Sequence, residues 1–193
     1  MEELSFLLWA TQGVSRVNEQ DNGQIVSTVR TVPSGGARHP FETYLLVNRV
    51  TECESGLYRY LPLEHKLSHL ATAPELAERF TRMPGMSSHD TTTTVLNMFL
   101  QKGNAEQFAR TSAVVFIWTV IPYRTEWRYG LLSPKLIAQD SGHVCQNLYL
   151  ACETIGAGTC AVASYIQDVT DAMLGVDGED EFTMYVAPVG KIA

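Results

Sequence analysis

The sequence has no long hydrophobic run and no excess of positive charge, and each absence excludes a class of function. The apolar run AVVFIWTVI at 113–121 is far shorter than the roughly 20 residues that a membrane-spanning helix needs. Fourteen basic residues against twenty-one acidic ones give a net charge of −7. This balance argues against a broad nucleic-acid-binding surface and leaves room for one local anion site. We therefore expect neither a membrane span nor a nucleic-acid partner.

Motifs of metal proteins and hydrolases are also missing. No CxxC pair and no histidine at metal-ligand spacing accompany the cysteines at 53, 145, 152 and 160, so neither a zinc site nor a disulfide framework is expected. HExxH and GxSxG do not occur. The opening residues MEELSFLLWATQG begin with two acids and lack the basic segment and cleavage pattern of a secretory signal. The expected location is the cytoplasm.

The chain does contain enough apolar sequence for one folded domain. With 193 residues, 45% of them hydrophobic, residues 1–193 are predicted to fold as a single unit. Leu4, Leu7 and Leu8 recur at helical spacing ahead of Gly13, which predicts a short helix with a glycine end. The polar stretch from 14 to 30 is interpreted as a loop.

Strands and helices are then predicted in succession along the chain. The run at 41–49 predicts a strand, and 56–62 with 65–70 predict a hairpin. Helical patterns begin at Pro74 and again near 90, the second reaching about 110. The continuous apolar run SAVVFIWTVI is typical of a central strand that is covered on both faces.

The last third is predicted to hold a long helix, a short helix and a strand. Val144, Leu148 and Cys152 follow helical spacing within SPKLIAQDSGHVCQNLYLACETIGAG, and neighbouring apolar residues widen the surface almost all round. Such a helix must be buried on several sides, which favours a dimer. A short helix with Asp168 as its N-cap and Gly175 as its stop precedes the strand EFTMYVAPVGK. The order of elements predicts an α+β fold.

The loop PSGGARHP at 33–40 carries groups that suit an anion. Glycines let backbone N–H groups approach closely, and a serine, Arg38 and His39 are donors. The octet alone favours an exposed turn over an anion site, and it matches neither the Walker pattern nor GxGxxG. His143 begins a helical stretch and favours a structural role, and WRYG at 127–130 is more often a packed loop than a proton relay.

Five blocks in a fixed order carry a family likeness. They are LLWATQGVSR, RTVPSGGARHPFETYLLV, GLYRYLPLEHKL, DSGHVCQNLYLACETIGAGTCAV and YVAPVGK. Together they resemble the nitroreductase-like FMN flavoproteins, and most closely the azoline (SagB-like) dehydrogenases that form thiazoles and oxazoles in modified peptides. The resemblance implies a mainly antiparallel, mixed sheet flanked by helices, an intertwined homodimer, and one FMN in each of two interface clefts.

The resemblance also implies roles for individual residues. Cofactor contacts fall on Arg16 and Lys191 for the phosphate and on a backbone N–H of Val162, Ala163 or Ser164 for the flavin ring. The phosphate, ribityl chain and ring edge are further held by loop residues, namely Ser34, Gly35, Gly36, Arg38 and His39. The catalytic positions are Arg128 and Tyr129.

The chain departs from the family pattern at two places. Ala37 and His39 stand where nitroreductases usually carry asparagine and glutamine, and Arg128-Tyr129 stands where azoline dehydrogenases carry Lys-Tyr. An arginine with a pKa above roughly 12 is unsuited to act as a general base. The leading hypothesis is an FMN-dependent oxidoreductase that passes hydride between NAD(P)H and a small organic substrate. The alternatives are an azoline dehydrogenase and a non-catalytic flavin-binding or sensor protein.

Overall fold

A six-stranded sheet with helices on both faces forms the centre of the molecule. The structure is a computed structural model and describes residues 1–76 and 111–192. In chain order the elements are α1 (Glu2–Gln12), β1 (Val14–Glu19), β2 (Ile25–Arg30), a 3₁₀ turn (Gly35–Ala37), β3 (Phe41–Val47), β4 (Gly56–Leu61), β5 (Lys66–Thr72), β6 (Val114–Val120), α2 (Tyr123–Tyr129), a second 3₁₀ turn (Gly130–Leu132), α3 (Ser133–Thr154), β7 (Ala157–Thr159), α4 (Gln167–Leu174) and β8 (Phe182–Lys191).

The sheet confirms the predicted central strand. The strand order is β5-β4-β3-β6-β8-β7, and each described strand pair is antiparallel. All seven residues of β6 are buried, as the continuous apolar run predicts. Side chains alternate across a strand, so Phe116 and Trp118 join the core under one face while Val115 and Ile117 join the core under the other. The predicted β4–β5 hairpin is present as well.

Different helices cover the two faces. The apolar sides of α1 and α3 pack together on one face, where Leu8 and Leu148 are buried. On the other face α4 contributes Met173 and Leu174. This layering puts α3 directly beneath the loop that leads from β2 into β3. Among the described residues, no helix is long and apolar enough to cross a membrane.

Two predictions about local structure are wrong. Residues 14–30 form the β1–β2 hairpin rather than a loop, with Arg16 opposite Val29. Its strands are polar because both faces of this two-stranded sheet are largely exposed, so no apolar alternation marks them. Asp168 lies in the first turn of α4 and Ile166 is the N-cap, whereas the predicted stop at Gly175 is confirmed by its left-handed backbone.

The long helix is confirmed, but its outer surface is more polar than predicted. Val144, Leu148 and Cys152 are buried along one side, as their spacing predicts. Tyr149 and Leu150 remain 37% and 59% exposed on the outer side, which also carries polar residues. One chain therefore covers α3 on one side only. The helix predicted from Pro74 is seen only at 73–76, and its remainder and that at 90–110 lie outside the described residues.

Candidate functional site

The loop at 33–40 is held between α2 and α3. It leaves β2, makes the 3₁₀ turn at 35–37 and enters β3, whose seven residues are all buried. Gly36 adopts a left-handed conformation with φ +60°, and Ala37 and His39 have φ values of 52° and 45°. Left-handed backbone is strained for residues other than glycine, so surrounding contacts must hold these two in place.

Asp140 fixes the loop from the side of α3. The Ser34 hydroxyl donates to Asp140 Oδ2 at 2.6 Å, and the Gly35 N–H donates to the same carboxylate at 3.1 Å. Ser34 Oγ in turn accepts the His39 N–H at 2.9 Å. The sequence contains Asp140 in the block DSGHVCQN, but no local pattern shows that this acid contacts residues more than one hundred positions away.

Three residues of α2 contact the loop from the opposite side. A Cβ added to Gly36 would lie less than 3.0 Å from the Tyr129 hydroxyl, so the tyrosine packs directly on this glycine. The Arg38 guanidinium lies 5.2 Å from the centre of the Trp127 ring and donates from Nε to the Gly36 carbonyl. Arg124 donates to the His39 carbonyl at 3.3 Å. The structure thus brings Tyr129 together with the predicted loop residues.

His39 is buried within the loop, at 7% exposure. Neither of its ring nitrogens has a hydrogen-bond partner among the described residues. Burial, followed by the charges of Arg30 and Arg38, lowers the pKa of His39 from 6.5 to about 4. At neutral pH this imidazole is therefore uncharged and has one donor nitrogen and one acceptor nitrogen, both buried.

A buried ionic cluster supports the start of β3 beneath the loop. Glu42 pairs with Arg124 at 2.6 Å and with Arg59 at 3.0 Å. Burial alone would raise the pKa of Glu42, but Arg124 and then Arg59 outweigh it and hold that pKa below its usual value. Arg30 donates to Gln12 Oε1 and to the Phe41 carbonyl, and burial lowers its pKa. These contacts tie the loop's two flanking strands to α1 and α2.

A second group of predicted site residues lies near the C-terminal end of α3. Lys191 donates to the Ile155 carbonyl at 2.6 Å and pairs with Glu3. A cavity of about 380 Å³ has Lys191 and Cys160 in its lining. Ala163 and Ser164 follow in the chain and are exposed. Of the three predicted backbone donors, Val162 is excluded, because its N–H already donates to the Val186 carbonyl at 2.8 Å.

The two groups are separated within one chain. Asp140 contacts the loop group, and Ile155, at the C-terminal end of α3, contacts Lys191 of the second group. At a rise of about 1.5 Å per residue, Asp140 and Ile155 lie about 22 Å apart along the helix axis. Arg16 lies exposed on the hairpin that leads into the loop, and its side chain has no hydrogen bond or ion pair to the described residues. Arg128 is exposed as well, 5.7 Å from the centre of the Tyr129 ring.

Two cysteines are unsuited to act as nucleophiles. Burial raises the pKa of Cys145 to about 11 and that of Cys152 to about 12. Both therefore remain protonated at neutral pH, whereas a nucleophile must reach the thiolate form.

Similarity to known proteins extends over almost the whole chain. The family model described as the nitroreductase family matches residues 7–191. The chain belongs to the nitroreductase family. This membership and the α+β fold confirm the sequence prediction, and the match covers both groups of candidate site residues.

Sequence relatives of this nitroreductase-family chain include proteins of two kinds. It is 27% identical over 191 residues to a nitroreductase homologue of Methanocaldococcus jannaschii, and this alignment covers 99% of this chain and 80% of that protein. It is also 27% identical over 150 residues to TfxB, the trifolitoxin-processing protein of Rhizobium leguminosarum bv. trifolii. That match covers 77% of this chain and only 36% of TfxB.

Solved structures show the same fold at lower identity. A chain of the E. coli microcin synthetase McbBCD complex with truncated pro-MccB17 bound has a TM-score of 0.73 and 19% identity, over 100% of this chain and 64% of that chain. An NAD(P)H:FMN oxidoreductase homologue of Staphylococcus epidermidis has a TM-score of 0.56 and 14% identity, over 100% of this chain and 76% of that chain. The two peptide-processing matches agree with the predicted likeness to the azoline dehydrogenase branch.

Proposed function

We propose that the protein is an FMN-dependent oxidoreductase that transfers hydride between NAD(P)H and a small organic substrate. The observation that carries the proposal is the family match, which runs through both groups of candidate site residues. The loop supports it because two strained residues and a buried, unpartnered imidazole are kept there at a cost in stability. Such costs are typical of a surface that is completed by a ligand.

The described residues fit FMN in part, and the fit changes two predicted roles. The polar groups of Ser34 and Gly35 already face the Asp140 carboxylate, and a phosphate beside that acid would be repelled. These two residues therefore shape the loop and do not hold the phosphate. The groups that remain for FMN are the cations Arg16 and Arg38, the His39 imidazole, the Gly36 surface, the exposed backbone of 163–164, and Lys191, whose exposed ion pair with Glu3 a phosphate would replace.

The separation of the two groups favours a homodimer. About 22 Å along α3 exceeds the distance from the phosphate to the ring of one FMN, so one chain cannot offer both groups to the same cofactor. A second copy could place its loop opposite the first copy's Lys191. Exposed apolar side chains, among them Trp9 and Leu150, border an open cavity between α1 and α3 and suit a subunit interface. We propose one FMN at each interface cleft.

Bound FMN would supply the redox chemistry, since it can take up and give off hydride. The chain's own residues bind, orient and protonate. Exposed Arg16 is suited to the phosphate because a guanidinium forms paired, charge-assisted hydrogen bonds with phosphate oxygens. A neutral His39 would donate one hydrogen bond without adding charge. The Tyr129 hydroxyl, placed against Gly36, is the proton donor that we assign to the organic substrate.

Steady-state kinetics tests this function. Under anaerobic conditions, the purified protein, loaded with FMN and freed of excess cofactor by gel filtration, should oxidise NADH or NADPH over many turnovers only when a nitroaromatic or quinone acceptor is present. Because both substrates react in turn at one cofactor, double-reciprocal plots at several acceptor concentrations should be parallel. Tyr129→Phe should slow the acceptor half-reaction and leave the NAD(P)H half-reaction unchanged. A chain that retains no FMN after gel filtration would refute the proposal.

Azoline oxidation is the second candidate, favoured by the matches to TfxB and to the McbBCD complex. In that reaction a thiazoline ring of a peptide loses two hydrogens, one as hydride to the cofactor and one as a proton to a base. The residue at the matching position is Arg128, and a guanidinium has no lone pair available to accept that proton. Incubation with a thiazoline-bearing peptide and mass spectrometry would show the loss of two hydrogens, and failure under conditions that reduce nitroaromatics would remove this candidate. FMN binding without oxidation of either NAD(P)H or the thiazoline peptide would instead indicate a flavin-binding or sensor protein.

A further inference from the structure

Asp140 is a buried acid that has no contact role in the proposed function. It lies on α3 at 4% exposure, and its two carboxylate oxygens accept hydrogen bonds from Ser34 and Gly35. A buried carboxylate loses hydration and is retained in a fold only where such donors compensate it. Here the compensating donors all belong to the candidate cofactor loop.

The shape of the loop depends on these bonds. Ser34 Oγ donates to Asp140 and accepts the His39 N–H, so one hydroxyl links the helix to the far end of the loop. Between these points the backbone is left-handed at Gly36 and Ala37, and His39 is left-handed as well. Each non-glycine residue in this conformation is strained, and the chain relaxes when its contacts are removed.

We propose that Asp140 is the positioning residue of the cofactor site. It holds the loop, through Ser34 and Gly35, in the conformation that presents Gly36 and His39 to the flavin. Asp140 itself does not touch the cofactor. The inference rests on the proposed function for the identity of the ligand, whereas the dependence of the loop on Asp140 stands on the hydrogen bonds alone.

The chain offers a matched control for this carboxylate. Asp171, also at 4% exposure, accepts the Thr183 N–H at 2.7 Å and the Thr183 hydroxyl at 2.6 Å. Like Asp140, it is a buried acid that accepts one backbone N–H and one hydroxyl, and it also accepts Gln167 Nε2 at 2.7 Å. Asp171 lies on α4, under the other face of the sheet from α3. Loss of its charge should therefore destabilise the fold and leave the loop intact.

The test compares Asp140→Asn, Asp171→Asn, Ser34→Ala and the double variant Ser34→Ala/Asp140→Asn in the full chain. Hydrogen exchange without flavin reports on the Gly35 and His39 amides, which should exchange faster in Asp140→Asn than in Asp171→Asn. The FMN dissociation constant, followed by quenching of flavin fluorescence, should rise about tenfold or more in Asp140→Asn, the size expected when a hydrogen bond to a charged group is lost. The double variant should bind no more weakly than Asp140→Asn, because both changes break one chain of contacts.

The outcomes separate the two claims. Unchanged exchange of the Gly35 and His39 amides in Asp140→Asn would overturn the positioning role. Faster exchange with an unchanged FMN dissociation constant would overturn it too, since the loop would then not matter for binding. An equal rise of the FMN dissociation constant in Asp140→Asn and Asp171→Asn would show that both act through a general loss of stability, and it would overturn the positioning role of Asp140. A wild-type chain that binds no FMN would refute the proposed function, and the exchange data would still decide whether Asp140 holds the loop.

Discussion

Gly36 is the position at which one added methyl group most directly tests the geometry of the loop. Its φ of +60° and ψ of 25° are left-handed, and a Cβ there would meet the Tyr129 hydroxyl at less than 3.0 Å and the ring carbons at 3.2 and 3.3 Å. Gly36→Ala therefore combines two costs, backbone strain of roughly 1–2 kcal/mol and an overlap that forces Tyr129 to move.

Gly175 separates these two costs. Its backbone is almost the same, with φ 78° and ψ 27°, but nothing lies within 4 Å of an added Cβ. Gly175→Ala should lower the free energy of unfolding by the strain alone, roughly 1–2 kcal/mol. Gly36→Ala should cost about 1 kcal/mol more, because the half-buried tyrosine gives up part of its packing as it moves.

Urea unfolding at fixed protein concentration measures both variants, alone and in a Tyr129→Ala background. In the Tyr129→Ala background the additional cost of the overlap should disappear, so that Gly36→Ala then lowers the free energy of unfolding by the same amount as Gly175→Ala. If Gly36→Ala costs no more than Gly175→Ala in the wild-type background, Tyr129 does not pack on the loop. The assignment of Tyr129 as the proton donor of this site would then lose its structural basis.

Three further predictions follow from charge and exposure. Arg16→Gln should raise the FMN dissociation constant about tenfold and leave that of riboflavin unchanged, because riboflavin lacks the phosphate; flavin fluorescence measures both. Thermal unfolding should show stability falling as the pH decreases from 6.5 towards 4, because unfolded chains take up a proton on His39 that the folded state resists, and His39→Gln should reduce this fall. If the proposed dimer forms through this face, Leu150→Arg should give monomers in sedimentation experiments at concentrations where the wild type sediments as a dimer, because it places a charge beside exposed apolar side chains such as Trp9.

Each of these predictions has a control and a contrary result. Lys66→Gln changes an exposed cation on β5 and should leave FMN binding unaltered; equal losses of FMN and riboflavin affinity in Arg16→Gln would contradict a phosphate contact. A pH profile of His39→Gln that matches the wild type between 6.5 and 4 would show that His39 is not held neutral. Leu63→Arg, at an equally apolar but separate exposed position, should stay dimeric. A dimeric Leu150→Arg would remove α3 from the interface.

The strands of the core could be predicted from sequence because burial alone determines their pattern. β6 is covered on both faces, so an unbroken apolar run marks it. β3 beside it is also buried on both faces, and its aromatic and aliphatic residues marked it as a strand although it contains Glu42 and Thr43. The β1–β2 hairpin escaped prediction because backbone hydrogen bonds define it and its side chains are largely exposed. The N-cap of α4 was misplaced by two residues, since Asp168 satisfies the usual preference but lies inside the first turn.

The candidate site was predicted only where its residues share a short stretch of chain. The loop at 33–40 stands out by its glycines and cations, and the family likeness adds Arg16, Lys191 and Tyr129. Asp140 could not be found in this way, because its partners Ser34 and Gly35 are distant in sequence and become neighbours only through the sheet. For the same reason the sequence did not show that the Val162 N–H is already hydrogen-bonded, because its partner, the Val186 carbonyl, becomes a neighbour only in the folded chain.

The visible spectrum of the FMN-loaded protein tests the central claim most directly. Under anaerobic conditions the oxidised flavin band should bleach when NADH or NADPH is added and return when a nitroaromatic acceptor follows. Arg16→Gln at a saturating FMN concentration should bleach in the same way, because its change affects binding and not hydride transfer. A bound flavin whose band is unaffected by either nicotinamide, or a chain that stays colourless after incubation with FMN, would contradict the account.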